Sequence, residues 1–257
     1  MCGRYAASRS PEDLVEEFEV DAWAGAGAGG GTGDGAGTGD AVPPSWNVAP
    51  TDPVRVVLER VVEERAERQL RTVRWGLVPS WARDASGAAR LINARLETVA
   101  EKPAFRKAFR SRRCLVPADG YYEWYAQEDG GKQPFFIRRR DGRSLAMAGL
   151  YELWRAPGEG SPWLWTATVI TTAAVDELGR LHDRMPMLVE RDRWAQWLDP
   201  EGGDAEELRG LLVPAAPGLL EAYPVSKAVG NVRNNGPHLV EPVPAAEEAA
   251  DAAPTLF

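Results

Sequence analysis

The sequence predicts an α+β domain, mainly antiparallel β, with a barrel-like core and flanking helices. Three observations carry this expectation. Seven segments, 54–61, 69–78, 113–118, 121–126, 134–140, 145–154 and 163–174, are rich in β-branched and aromatic residues and have the length of strands. Asp-Gly pairs within 129–132 and 140–143 are hairpin-turn signals. The strands follow one another with few intervening helices, which disfavours a doubly wound parallel sheet.

Ser10-Pro11-Glu12-Asp13 opens a helix: Ser is a good N-cap, Pro suits the first turn, and the acids suit the helix dipole. Leu14, Val15 and Phe18 give it one apolar face, and the spacing carries it to near Trp23. Residues 24–40, AGAGAGGGTGDGAGTGD, are too Gly-rich to offset their ordering entropy and read as a disordered insertion. Further helices are expected at 99–110, 175–182, 191–198 and 204–212. The reading is of one domain over 2–240, with a disordered acidic tail at 241–257.

The chain has 257 residues, of which 44% are hydrophobic, enough for a real core. No apolar run approaches the roughly eighteen residues of a membrane span, and no signal-peptide stretch opens the chain. A cytoplasmic protein without membrane contact is expected. Two cysteines, Cys2 and Cys114, and two histidines, His182 and His238, make neither a disulfide framework nor a zinc pattern. Neither a metal nor any other cofactor is expected. Net charge is −8 with a pI near 5.0. The bases are nevertheless concentrated: 71–114 holds eleven Lys/Arg against three Asp/Glu, and Lys102 to Arg113 holds six bases and no acid. Such a region is either a phosphate-binding surface or an ordinary solvated face.

Cys2 follows the initiator Met, which is normally removed before so small a residue. An N-terminal Cys is a 1,2-aminothiol whose α-amine titrates near 8, against about 10.4 for Lys. The neutral amine forms an imine with an aldehyde, and the thiol then closes a five-membered thiazolidine. Glu123, among aromatics in DGYYEW, is either an acid/base raised by desolvation or a solvent-facing strand residue. His182 in LHDRMP is a proton shuttle or a histidine bonded to Asp183. Asn93-Ala94-Arg95 offers an amide and a phosphate-binding cation. Trp75 and Trp81 are stacking surfaces for bases or core residues.

Seven motifs occur in order: MCGRYA; WNVAP from Trp46; RWGLVP from Arg74; LINARLET from Leu91; ADGYYEW; LHDRMP; and Val225-Ser226 followed by Val229-Gly230-Asn231. Together they resemble the SOS-response-associated peptidase (SRAP) family, the abasic-site processing proteins, over nearly all of 2–240. The resemblance implies an SRAP-like fold, α+β around an antiparallel barrel-like core, with a positive channel for single-stranded DNA. It implies Cys2 as the residue that forms the thiazolidine with the opened abasic sugar. Asn93 would orient the sugar, Glu123 would be the acid/base, and His182 would transfer a proton at the sugar. Arg4, Asn47, Arg95 and Arg184 would contact phosphates or bases, and Trp81 would stack. Where the family often has a second aromatic, this chain has Ala82, and its Gly-rich stretch replaces a shorter connection. The word peptidase reflects a proposed self-removal of Met1.

The implied partner is single-stranded DNA containing abasic sites, met at the nucleoid. Replication-associated proteins are further candidate partners of unknown identity. The ring-opened abasic sugar is an aldehyde, the group an aminothiol captures, and the same imine opens a slow AP-lyase route. One alternative is an N-terminal-nucleophile hydrolase of the glutamine amidotransferase kind, which also begins Met-Cys-Gly. Another is a non-covalent single-strand binder. A protease pairing Cys114 with His182 is the weakest, because Cys114 sits in the apolar segment RCLVPA.

Overall fold

The computed structural model describes residues 2–23, 42–127, 130–158, 160–174 and 181–243. The elements run β1 (Tyr5–Ala7), α1 (Pro11–Glu17), β2 (Ala22–Trp23), β3 (Ser45–Val48), β4 (Pro53–Val62), β5 (Arg65–Trp75), β6 (Asn93–Arg95) and α2 (Arg106–Ser111). They continue with β7 (Arg113–Ala118), β8 (Gly120–Ala126), β9 (Lys132–Arg139), β10 (Leu145–Arg155), β11 (Trp163–Ala173), β12 (Arg184–Pro186), α3 (Trp194–Leu198), α4 (Ala205–Leu211) and β13 (Leu220–Pro224). α1 starts as the sequence indicates: the Ser10 hydroxyl accepts from Asp13 N and Pro11 occupies the first turn.

The strands form two sheets. One has the order β13-β9-β8-β1-β3. In the other, β11-β10-β7-β4-β5 are successive neighbours, and β5 also pairs with β11 in parallel, Ala167 opposite Trp75. That pairing closes five strands into a barrel. Alternation along each strand then sorts the side chains. Val56 and Leu58, Val73 and Trp75, Cys114 and Val116, Met147 and Tyr151, and Ala167 and Val169 fill the interior. Val57, Leu70, Leu115, Ala148 and Ile170 face outward and pack under α2, α3 and α4 with Phe109, Trp197 and Leu208. The five-stranded sheet lies over one mouth of the barrel: Tyr5, Tyr121 and Ile137 join the interior cluster, and Tyr5 meets Trp75 edge-on at 5.0 Å. Burying side chains of this size contributes about 1.5–3 kcal/mol each.

Two glycines are steric necessities. A Cβ at Gly149 would stand 2.9 Å from Cys114 Sγ in the barrel interior, and one at Gly76 would stand 2.6 Å from the Ala88 carbonyl oxygen. Gly76 also has φ +124°, so it lets the chain leave β5 sharply where side chains are strained.

The fold class is as the sequence predicts, and the seven expected strands are β4, β5 and β7 to β11. Several local expectations are corrected. β8 and β9 pair antiparallel on either side of the turn expected at 129–132, of which Asp129 lies outside the described residues, but the turn at 140–143 is no hairpin: it carries the chain from β9 in one sheet to β10 in the other. The helix expected over 99–110 is limited to α2, because Pro103 interrupts the earlier turns. α1 ends at Glu17, and Ala22–Trp23 is a strand instead. The insertion at 24–40 lies outside the described residues, as do 175–180 of the helix expected at 175–182, whose last two residues are not helical. Of the tail, 241–243 is described: Pro242 pairs with Val225, and Val243 N donates to the Pro224 carbonyl at 2.9 Å.

Candidate active site

Cys2 precedes β1 and is fully buried between the capping sheet and the barrel. β1 places it there by pairing Tyr5 with Tyr121 of β8 and with Val48 of β3. Burial pushes the Cys2 thiol well up from its ordinary value, and the charge of Glu123 pushes the same way. A thiolate is thus disfavoured at rest. Tyr5 and Tyr121 both feel the Cys2 charge, so the thiol sits among two phenols.

β6 supplies the amide. It joins the sheet beside β11, Asn93 opposite Val169, and Asn93 Nδ2 donates to the Cys2 carbonyl at 2.8 Å. Asn93 Oδ1 is buried with no hydrogen-bond partner among the described residues. A buried carbonyl oxygen left this way costs about 1–3 kcal/mol, so Asn93 keeps an unused acceptor beside Cys2. Two residues on, Arg95 is exposed.

Glu123 lies on β8 opposite Phe135 and is only 5% exposed. Desolvation by burial raises its carboxyl from 4.5 to about 7, and the nearby Asp183 charge also raises it. It is therefore not a solvent-facing strand residue but a carboxyl held near half-protonation at neutral pH.

His182 stands at the entry to β12. Its Nδ1 accepts from the Arg184 backbone N–H at 2.9 Å. Asp183 Oδ1 lies at the same distance from Nδ1, a contact that requires that nitrogen to carry a proton. A backbone N–H cannot give up its proton whereas an imidazole can, so the Arg184 bond decides the tautomer. Burial lowers the His182 pKa, which favours the neutral ring. Neutral His182 thus carries its proton on Nε2.

The remaining residues divide by their partners. Arg4 donates to Asn47 Oδ1, to the Val229 carbonyl at 3.0 Å and to that of Gly230 at 3.3 Å. Asn47, 3% exposed, uses its amide nitrogen on the carbonyls of Val229, Asn231 and Asn234. Arg184 makes a two-pronged bond to Glu97 at 2.6 and 3.0 Å and donates to the Thr171 carbonyl. Arg4 and Asn47 thus pin the 229–234 loop against β3, while Arg184 ties β12 to β11 and to Glu97 in the turn after β6. Trp81 is 68% exposed on a loop fastened by Trp154 Nε1, which donates to the Ala82 carbonyl at 2.8 Å. Trp75 is core, its indole bonded to the Ile92 carbonyl.

The basic run splits. Arg112 pairs with Glu152 at 2.8 Å, and Arg113 is buried among the carbonyls of Phe109, Arg110, Trp197 and Asp199. Lys102, Arg106, Lys107 and Arg110 are exposed on the helix layer outside the barrel. Sequence reasoning missed Tyr5, Tyr121 and the Glu97 clamp. The phenols and Glu97 stand in quoted motifs, but no local signal pairs them with residues so far along the chain. Among the described residues, no cluster of His, Cys, Asp and Glu could hold a metal, and no helix could cross a membrane.

Residues 1–232 match the family model described as SOS response associated peptidase (SRAP). The abasic site processing protein YoqW of Bacillus subtilis is 37% identical, covering 94% of this chain and 99% of its own. YedK of Escherichia coli, likewise named an abasic site processing protein, is 34% identical over 95% and 100%. HMCES of Gallus gallus, named the same way, is 34% identical over 78% of this chain and 66% of its own length. A solved structure from Bacteroides thetaiotaomicron superposes with a TM-score of 0.74 at 23% identity, covering 94% of this chain and all of that one.

Proposed function

The chain belongs to the SOS response associated peptidase (SRAP) family, and from that premise we propose that it processes abasic sites by capturing them covalently in single-stranded DNA. After loss of Met1, the Cys2 α-amine attacks the aldehyde of the opened sugar. Loss of one water leaves an imine. The thiol adds to the imine carbon, its proton passes to the nitrogen, and a thiazolidine results. The balance is aminothiol plus aldehyde giving adduct plus water.

The observation that carries the reading is the environment of Cys2. Asn93 grips its carbonyl and leaves Oδ1 unspent, while Glu123 beside it is held near half-protonation. Asn93 Oδ1 accepts from a sugar hydroxyl. Glu123 donates the proton that lets the carbinolamine lose water and then takes one from the thiol. His182, with Nε2–H, donates to the sugar oxygen as the ring opens. Exposed Arg95 receives a phosphate and exposed Trp81 a base. Arg4, Asn47 and Arg184 reach DNA only by exchanging the partners they hold, so their first task is to shape the walls. Elimination from the imine is a slow second route, giving AP-lyase activity. Removal of Met1 by the chain itself is a separate step of the same site.

The test is a denaturing gel of untagged protein mixed with single-stranded DNA carrying one abasic site. A retarded band is expected for wild type. Cys2→Ala should lose the band and keep non-covalent binding. A band of equal yield from Cys2→Ala without added reductant would sink the thiazolidine.

A further inference from the structure

β8 carries Glu123 and runs on past it. Its side chains alternate between the two faces of the capping sheet. Tyr122 and Trp124 join the outer cluster with Phe136, Val225 and Val229. Tyr121 faces the barrel interior, and Phe135 and Ile137 of β9 pack on that same face. Glu123 stands directly opposite Phe135 and so shares their face, and Tyr125 is the next residue in phase. Two residues of strand, about 7 Å, separate Tyr125 from Glu123.

Tyr125 is where this face leaves the core. It is 44% exposed, and among the described residues the only other exposed aromatic rings are Trp81 and Trp163. Its neighbours brace the ring without covering it. Phe135 meets it at 79° with centroids 6.4 Å apart. Gln133, directly across the strand pair, is drawn toward β13: its Nε2 donates to the Val225 carbonyl at 2.8 Å and to that of Pro134 at 3.0 Å. The charges here suit a base better than a phosphate. Glu123 is on this face, and the Asp183 charge reaches it. Glu128 and Asp129, in the turn beyond Gln127, lie outside the described residues. The nearby cations fall on the other face: Lys132 pairs with Ala126, in phase with Trp124, and Arg4 lies over Trp124 itself.

We propose that Tyr125, braced by Phe135, is a stacking platform for a nucleobase one or two nucleotides from the abasic site. This rests on the capture reading above and deepens it. A strand whose lesion lies at Glu123 runs off along β8, and about 7 Å is the rise of two stacked nucleotides at about 3.4 Å each, or of fewer in a stretched strand. Every base has a ring face, so the contact demands a base without demanding a sequence. The lesion itself offers nothing to stack, and its neighbour supplies the missing contact. The preferred substrate is therefore an isolated abasic site beside an intact base, not a run of abasic sites.

The test uses single strands of about twelve nucleotides, the footprint of one single-strand site, with a central tetrahydrofuran abasic analogue. The analogue has no aldehyde, so the readout does not depend on covalent capture. In four further strands the nearest two nucleotides on each side are replaced by tetrahydrofuran one at a time. Fluorescence anisotropy gives the affinity of wild type, Tyr125→Ala and Tyr125→Phe for each. At one of the four positions, loss of the base should weaken wild type about tenfold, within the range for one stacked base. Tyr125→Ala should bind the parent strand about tenfold more weakly and be indifferent to the base at that position, whereas Tyr125→Phe should behave as wild type. Tyr125→Ala with the same dependence as wild type at all four positions overturns the proposal. So does a wild type that is indifferent at every position or binds none of the strands. A change in sedimentation of the free Tyr125→Ala protein in place of any base dependence would assign the ring to self-association and overturn it too. If wild type fails only to crosslink a true abasic strand, the capture reading falls, while the base dependence still decides Tyr125.

Discussion

Glu123 is the residue whose environment can be tested by a number. Its carboxyl is buried and raised from 4.5 to about 7, with desolvation the largest cause. The folded state therefore binds this proton more tightly than the unfolded state by about 2.5 decades. At about 1.4 kcal/mol per decade that is on the order of 3 kcal/mol. The sign follows from the raised pKa. Stability linked to Glu123 is fully present below about 4.5 and is lost as pH rises through about 7, because above it the fold must bury a carboxylate. Glu123→Gln keeps the shape of the protonated side chain and removes the titration. At pH 5 the variant should lie within about 1 kcal/mol of wild type. At pH 8.5 it should be more stable by up to about 3 kcal/mol, or roughly 6–12 °C in Tm for a chain of this size. Urea unfolding at the two pH values, compared as the difference between variant and wild type, is the assay. The same variant should crosslink abasic DNA more slowly at saturating strand, a stability gained at the cost of function. A difference that does not change between pH 5 and pH 8.5 would refute the reasoning, because it would mean Glu123 is not a desolvated carboxyl.

Other substitutions separate the arginines and amides by their partners. Arg95→Ala should weaken single-strand binding and lower the salt slope by about 0.7, measured by anisotropy, with little change in stability. Arg112→Ala should do the reverse: binding near wild type, but a loss of about 3–5 kcal/mol in urea unfolding, because buried Glu152 is left without its cation. Asn47→Ala should destabilise by about 1–3 kcal/mol, since it strips the carbonyls of Val229, Asn231 and Asn234 of one shared donor. An alanine inserted between Met1 and Cys2 should abolish the heat-stable adduct and leave strand binding intact, read on one denaturing and one native gel.

The sequence made the long strands legible and the short ones invisible, for a physical reason. β7 reads RCLVPA and is buried along its whole length, so its apolar run is its own signal. β1, β6 and β12 have three residues each, too few for any period to show, and they exist because distant strands pair with them. The Asp-Gly turn at 140–143 was readable as a turn, but only the pairing of β9 with β13, and of β10 with β11, shows that it changes sheets. The site divides in the same way. Cys2 was a candidate from amine and thiol chemistry, whereas the aromatics around Glu123 left two readings open and its expected role came from the family resemblance. What Arg4, Asn47 and Arg184 hold was not legible, because their partners lie tens to hundreds of residues away. The neighbouring Arg112 and Arg113 looked like any other members of a basic run; the pair with Glu152 removes the first from it and burial among backbone carbonyls the second.

The three shifts at the proposed capture site share one cause. Desolvation raises the Cys2 thiol, raises the Glu123 carboxyl and lowers the His182 imidazole. Each moves toward its neutral form, so the pocket at rest holds protons rather than charges. That is the wrong setting for a nucleophilic thiolate, which needs a depressed pKa. It suits a sequence in which an amine attacks first and the thiol closes the ring last, giving its proton up only as the carbon–sulfur bond forms. A neutral thiol is also slow to oxidise, which under the proposed capture chemistry would keep the reactive group intact until a lesion arrives. The same burial that makes Cys2 look inert beside Cys114 therefore distinguishes the two: Cys114 has desolvation alone acting on it, whereas Cys2 has an amide on its carbonyl and a titrating carboxyl at its side.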